Sequence, residues 1–139
     1  MFHWIEARAF CHATEEEDRV LAAVRTVMSE VEPRREGLAG HFGNPLLVFT
    51  VRETDGPSLR AAWSRIVKAL GRDEILRELD ERLNEDGIYH LRLDKQRAYL
   101  GGIETAAGPD VIAFRAKVAA FPKKRETLVA ALRGAVEEA

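Results

Sequence analysis

From Val111 to Phe121 every second residue is apolar: Ile112, Phe114, Ala116, Val118 and Ala120. Arg115 and Lys117 fall between them. A period of two is that of a β-strand, whose successive side chains point to opposite faces. One face of this strand is built for a core and the other for water. That pattern belongs to a sheet covered on one side only, which is common for antiparallel sheets and rare for parallel ones.

The rest of the chain supplies partners for such a strand. Residues 3–12 alternate less cleanly, with Ile5, Ala7, Ala9 and Cys11 on one side and Trp4, Glu6, Arg8, Phe10 and His12 on the other. Thr14-Glu15-Glu16-Glu17 reads as a capping box opening a helix with Val20, Val24, Val27, Met28 and Val31 as its apolar stripe. Residues 32–45, punctuated by Pro33, Gly37, Gly40, Gly43 and Pro45, read as a long loop. A strand is expected over 46–53. Asp55-Gly56-Pro57 then turns into a helix carrying Leu59, Trp63, Ile66, Val67 and Leu70, which Gly71 ends. A further helix opens at Asp73 with Ile75, Leu76, Leu79 and Leu83. After the Asn84–Gly87 turn come a strand over 88–93, a short helical or irregular connector over 94–101, the 111–121 strand, and a last helix from Pro122. The order β-α-β-α-α-β-β-α is not strictly alternating. It predicts an α+β fold with a single mixed or antiparallel sheet of about four strands and helices mainly on one face.

A length of 139 residues suits one domain, 1–139, and neither a repeat nor a linker divides it. No apolar run reaches the length of a membrane span, and the first residues carry neither a basic leader nor a long apolar stretch. A single cysteine, Cys11, excludes an internal disulfide and a cysteine zinc site, so the cytoplasm is the expected compartment. The net charge of −2 excludes a uniformly basic nucleic-acid binder. The charge is unevenly spread, however. Residues 1–88 hold 12 basic and 17 acidic side chains, whereas residues 89–125 hold 8 basic and 3 acidic.

The alternation sorts these cations by face. Arg115 and Lys117, His90 and Arg92, and Arg8 and Arg52 all fall opposite the apolar positions. They would give the sheet a basic open face that holds phosphates by charge and not by base identity. The plain alternative is that an open antiparallel face must be polar in any case. Lys123, Lys124 and Arg125 resist that alternative better. They sit at a helix start, where the dipole favours acids and where free amides attract phosphate.

Other groupings carry less chemistry. Glu15-Glu16-Glu17-Asp18 lies where first-turn acids are favoured on stability grounds. Gly40-His41-Phe42-Gly43-Asn44-Pro45 is glycine-rich but lacks the Gly-Lys-Ser/Thr ending of a phosphate loop. His3, His12, His41 and His90 have no helical metal-pair spacing, and Cys11 and His12, adjacent on a strand, face apart. Asp94-Lys95-Gln96 with Arg97 and Tyr99 is the densest polar group. Acid–base chemistry there would need a nucleophile or second carboxylate at a telling spacing, and the sequence offers none.

Three separated segments carry a resemblance. They are His3-Trp4-Ile5-Glu6 with His12-Ala13-Thr14-Glu15, the Gly40–Pro45 loop, and Leu91-Arg92-Leu93-Asp94-Lys95-Gln96 with Ala98-Tyr99-Leu100-Gly101. Together they resemble an archaeal RNA-binding family described as a predicted exosome subunit. The resemblance covers nearly the whole chain; Gly101-Gly102-Ile103-Glu104 departs from the family's glycine followed by an acidic residue. It implies a fold similar to the large-subunit ribosomal protein that binds 5S ribosomal RNA, and an archaeal, cytoplasmic protein. His41, Asn44, Asp94, Lys95, Gln96 and Tyr99 are the motif positions it carries over.

Charge and resemblance combine into one expectation: a non-catalytic RNA-binding protein, an accessory to the exosome or to other RNA-processing proteins. Arg92, Lys95, Arg97, Arg115, Lys117, Lys123, Lys124 and Arg125 would hold phosphates. His41, Asn44, Gln96 and Tyr99 would meet unpaired bases. No metal, cofactor or membrane is expected, and the protein would be a monomer or a homodimer. A scaffold or homodimer using the open face is the rival reading, with Trp4 and Phe10 as its apolar patch. An enzyme centred on Asp94 and Lys95 is the third, and it requires a concave pocket around them.

Overall fold

The computed structural model describes residues 1–28, 32–39 and 45–139. The described strands are β1 (Phe2–His12), β2 (Arg34–Ala39), β3 (Pro45–Glu53), β4 (Ile88–Asp94) and β5 (Val111–Val118). The described helices are α1 (Glu17–Val27), α2 (Gly56–Leu70), α3 (Arg72–Arg77), α4 (Leu79–Arg82), α5 (Lys95–Tyr99) and α6 (Arg125–Glu138). The strands form one sheet in the order β2-β3-β1-β5-β4, with every neighbouring pair antiparallel. The fold is α+β, as the sequence predicts, with one strand more than expected.

Central β1 explains why the helices lie on one side. Ile5, Ala7, Ala9 and Cys11 are all buried and join one apolar cluster with Phe49 and Val51 of β3, Leu91 and Leu93 of β4, and Ile112, Phe114, Ala116 and Val118 of β5. Helix residues Val20, Val24, Trp63, Ile66, Leu79, Leu132 and Val136 complete the same cluster. Trp63 is its centre. Its ring lies 4.9 Å from Phe2, 5.7 Å from Tyr89 and 6.4 Å from Phe114 between centroids. Its indole N–H donates to the Ala135 carbonyl at 3.0 Å, which ties α2 to α6. Aromatic contacts of this kind add to the area they bury.

Several boundaries depart from the sequence reading. The span 32–45 is not one loop, because Arg34–Ala39 forms edge strand β2. Residues 34–38 are all exposed, so no buried alternation marks the strand in the sequence. Thr14 is not a helix cap: α1 starts at Glu17 with Glu16 before it and no side-chain cap bond. Glu15 instead accepts the His12 backbone N–H at 3.1 Å and pairs with Lys95. The helix expected from Asp73 is split into α3 and α4 at Glu78. β5 stops at Val118, and α6 begins at Arg125, not at Pro122. Thr127 Oγ accepts the Lys124 N–H at 3.1 Å and so fixes the later start. The Gly40–Asn44 stretch, with His41 and Asn44, and Val31 lie outside the described residues.

Two turns are legible in their chemistry. Asp55 accepts the Ser58 N–H at 3.2 Å and caps α2. Gly71 closes that helix at φ 93°, a left-handed conformation that other residues adopt at a cost.

Replacing Trp63 by alanine removes the hub of the cluster and the α2–α6 hydrogen bond. The expected loss is about 3–5 kcal/mol, read as a lower urea midpoint.

Candidate nucleic-acid interface

The open face of the sheet is organised in cross-strand rows. One row runs Arg34, Thr50, Arg8, Ala113, Arg92, through the pairs Arg34↔Thr50, Arg8↔Thr50, Arg8↔Ala113 and Arg92↔Ala113. It spans all five strands, about 19 Å at a strand spacing of about 4.8 Å. Its three arginines are exposed, and the residues between them are small. Arg8 lies over the Phe10 ring at 5.4 Å, and Arg92 donates to the Gly108 carbonyl. No described carboxylate pairs with Arg8, Arg34 or Arg92. Three like charges in one row, without a counter-charge, do nothing for the stability of a sheet.

The next row is built differently. It runs Arg52, Glu6, Arg115, His90. Glu6 is only 4% exposed, although it lies on the solvent side of the sheet. Its two oxygens are divided between two guanidiniums. Arg52 donates at 2.7 and 3.0 Å to one, and Arg115 at 2.7 and 3.1 Å to the other. Both guanidiniums also stack on Trp4, at 4.0 Å and 5.2 Å from its ring centre. The three polar groups and the indole therefore hold one another in place. Burial pushes the Glu6 pKa up, but the hydrogen bonds and charges of Arg52 and Arg115 outweigh it, and the net shift is downward. Burial and the Arg115 charge lower the His90 pKa. The His90 Nε2 faces the Asn84 amide nitrogen at 3.2 Å, so the ring accepts there as a neutral imidazole.

Lys117, in the row beyond, pairs across the sheet with Trp4 and Ile88 and donates to the Asp86 carbonyl. The face thus presents Arg8, Arg34, Arg52, Arg92, Arg115 and Lys117 against Glu6 and Glu36. Asp94, at the end of β4, is turned aside to cap α5 by accepting the Arg97 N–H at 2.9 Å.

The connector does not join this surface as a source of charge. Lys95 is 3% exposed, which removes it from the phosphate-holding set expected of it. Its ammonium donates to Glu15 at 2.9 Å, to Asp110 at 2.6 Å and to the Phe10 carbonyl at 3.0 Å. Burial works against its charge, yet the bonds from Asp110 and Glu15 prevail and raise its pKa. An ammonium with three acceptors ties Glu15, Asp110 and the end of β1 together. His12, Glu15 and Asp110 offer ligand atoms within 4.8 Å of one another, and Lys95 supplies the positive charge against two of them. A hollow of about 290 Å³ lies alongside, lined in part by Glu15, Glu16, Lys95, Gln96 and Tyr99. Arg19 covers the Tyr99 ring at 5.1 Å, and Arg97 pairs with Glu104 at 3.2 Å. Gln96, Arg97 and Tyr99 are exposed but sit among carboxylates, apart from the open-face rows.

The start of α6 keeps two of its three cations for solvent. Arg125 reaches back to the Leu83 carbonyl at 2.5 Å and the Asp80 carbonyl at 2.6 Å, so it closes the end of α4. Lys123 and Lys124 remain exposed. The structure therefore divides the expected surface. Arg92, Arg115 and Lys117 share the open face with Arg8, Arg34 and Arg52. Lys123 and Lys124 stay exposed beyond the end of β5 in the chain, Lys95 is an internal tie, and Arg125 ties α6 to α4 while still 44% exposed. The sequence does not place Arg34, because the prolines and glycines around β2 have the signature of a loop. The signal for Glu6 was present: a lone acid between Trp4 and Arg8 on the outer side of β1.

Two outcomes follow. Lys95→Ala should cost about 1–3 kcal/mol of stability in urea melts, through the loss of charged hydrogen bonds. Glu6 has a depressed pKa, so its stabilising effect is complete above the ordinary carboxylate value of 4.5 and fades as pH falls through the lowered native value. In Glu6→Gln the loss of stability on acidification in that window should be smaller, read from melting temperature against pH.

Comparisons with known proteins give the family. A sequence model of a family described as RNA binding matches residues 4–118. The chain is 35% identical to RNA-binding protein PAB1135 of Pyrococcus abyssi over 140 residues, covering 94% of this chain and 91% of that protein. Among solved structures, AF2318 of Archaeoglobus fulgidus superposes with a TM-score of 0.88 at 32% identity, covering 97% of this chain and 99% of that one. Mth689 of Methanothermobacter thermautotrophicus gives 0.86 at 34%, covering 98% of both. The matched span takes in all five strands and their rows of cations, and the chain belongs to this RNA-binding family.

Proposed function

We propose that this protein binds RNA without catalysis, and that the open face of its sheet is the contact surface. The row Arg34, Arg8, Arg92 carries the reading, because those arginines are exposed and lack a described carboxylate partner. A polyanion would supply the missing counter-charge along the row, and release of its counterions would drive binding. The Glu6 node supports the same reading. It fixes Arg52 and Arg115 in place, so two further guanidiniums meet the ligand already ordered, with less rotamer freedom left to lose. Trp4, half of the apolar patch in the scaffold reading, carries two guanidiniums on its ring, and Phe10, still 38% exposed, has Arg8 beside it, which suits a nucleic acid better than an apolar protein face. The family description and the name of the Pyrococcus relative agree with this choice.

The finer role in this reading is that of a cytoplasmic accessory to RNA processing, with the exosome as its partner complex. The family resemblance and the archaeal sources of the relatives support it. Likeness to the ribosomal protein that binds 5S ribosomal RNA belongs to the same proposal. Co-purification of exosome subunits with the tagged chain tests it.

Salt titration tests the site. Binding should weaken steeply with salt, and each of Arg8→Gln, Arg34→Gln and Arg92→Gln should reduce the log–log slope by about 1. Lys95→Ala should leave that slope unchanged, since its ammonium is already neutralised inside the protein.

A further inference from the structure

Beside the arginine row the open face is not flat. A hollow of about 530 Å³ opens among Glu6, Glu32, Arg34, Thr50 and Arg52. A small-molecule site is usually about 300–1,000 Å³, so one nucleobase with part of its ribose fits. Thr50 is the short residue between Arg34 and Arg8 in the cross-strand row. Long side chains at Arg34 and Arg52 rise on either side of it.

The lining has the chemistry of a base and not of a hydrocarbon. It offers a hydroxyl from Thr50, an acceptor from Glu32, and guanidinium donors from Arg34 and Arg52, with Glu6 already engaged by Arg52 and Arg115 behind them. Arg52 is held on two sides, by Glu6 at 2.7 Å and by the Trp4 ring at 4.0 Å. A guanidinium fixed in this way is a firm plane, and bases stack on such planes as they do on aromatic rings. Arg34, in both the hollow and the row, stands where a phosphate of the same nucleotide would lie.

We infer that the ligand of the open face is unpaired RNA, with one nucleobase seated in the hollow above Thr50 and its strand following the row Arg34, Arg8, Arg92. This rests on the RNA-binding reading above and narrows its substrate. A duplex keeps its bases paired and stacked inside, so it meets the arginine row but has no free base for the hollow.

The test compares a short single-stranded RNA of mixed sequence with the same strand annealed to its complement. The expected result is that the single strand binds about tenfold more tightly, the scale of one stacked base. Thr50→Leu raises the floor of the hollow and removes its hydroxyl without offering an aromatic plane, and should bring the single strand down to the affinity of the duplex. A readout on the unaltered protein accompanies it. Trp63 is buried, so a change in tryptophan emission on adding RNA reports on Trp4, against which the Arg52 wall of the hollow rests. Single-stranded RNA should change that emission. Equal or tighter duplex binding, a Thr50→Leu variant that keeps full affinity for the single strand, or binding with unchanged emission overturns the inference. An emission change that tracks protein concentration without RNA means a second copy covers the hollow, and also overturns it. The combined variant Arg8→Gln, Arg34→Gln, Arg92→Gln separates the two levels. If it binds both RNAs as the unaltered protein does, the RNA reading of this face falls as well.

Discussion

A carboxylate withdrawn from water on the exposed side of a sheet is the constraint around which the open face is arranged. Glu6 sits in the middle of the central strand, with Arg52 across from it on one side and Arg115 on the other. Removing an ion from water is costly, and the cost is offset only when every lone pair is well met. Here four hydrogen bonds meet it. The arrangement locks three strands at one level, because only this register puts both guanidiniums within reach of one acid. A slip of one residue would move Glu6 to the core face, where Ala7 and Ile5 lie in a wholly apolar cluster.

The two faces of β1 therefore divide the protein's work. The inner side contributes small and branched apolar residues on which Trp63 and the helices pack. The outer side contributes aromatic, acidic and basic residues in turn. Most other acids lie off this face, on helices, turns and connecting segments, which is how a chain of net charge −2 carries a basic sheet face. The field that a polyanion meets depends on this separation and not on the total.

Much of this was legible in the residues because the sheet is open. Period-two alternation in Val111–Val118 and in β1 assigned inside and outside correctly, and with them the outward positions of Arg8, Arg52, Arg92, Arg115 and Lys117. Alternation failed where nothing is buried: Arg34–Ala39 is a strand with exposed residues along it, and a sequence full of glycine and charge reads as loop. Local rules also failed where a distant partner competed. Thr14 and Glu17 fit a capping box by spacing, but α1 starts only at Glu17, and Glu15 between them turns to Lys95, 80 residues away. Lys95 and Arg125 show the same limit. A cation in a sequence motif carries no mark of whether it faces solvent or ties two elements together, and only the fold separates Lys95 from Arg92. Glu6 is joined to Arg52, 46 residues away, and to Arg115, 109 residues away, and neither pairing leaves a local trace.

Lys95 has one more consequence. Where His12, Glu15 and Asp110 converge, many proteins would rely on a divalent ion to draw negative ligands together. This chain carries its own cation, covalently attached on the first residue of a short helix. One ammonium thus fastens the end of β1 and the approach to α1 to the approach to β5, which is distant from both in the chain.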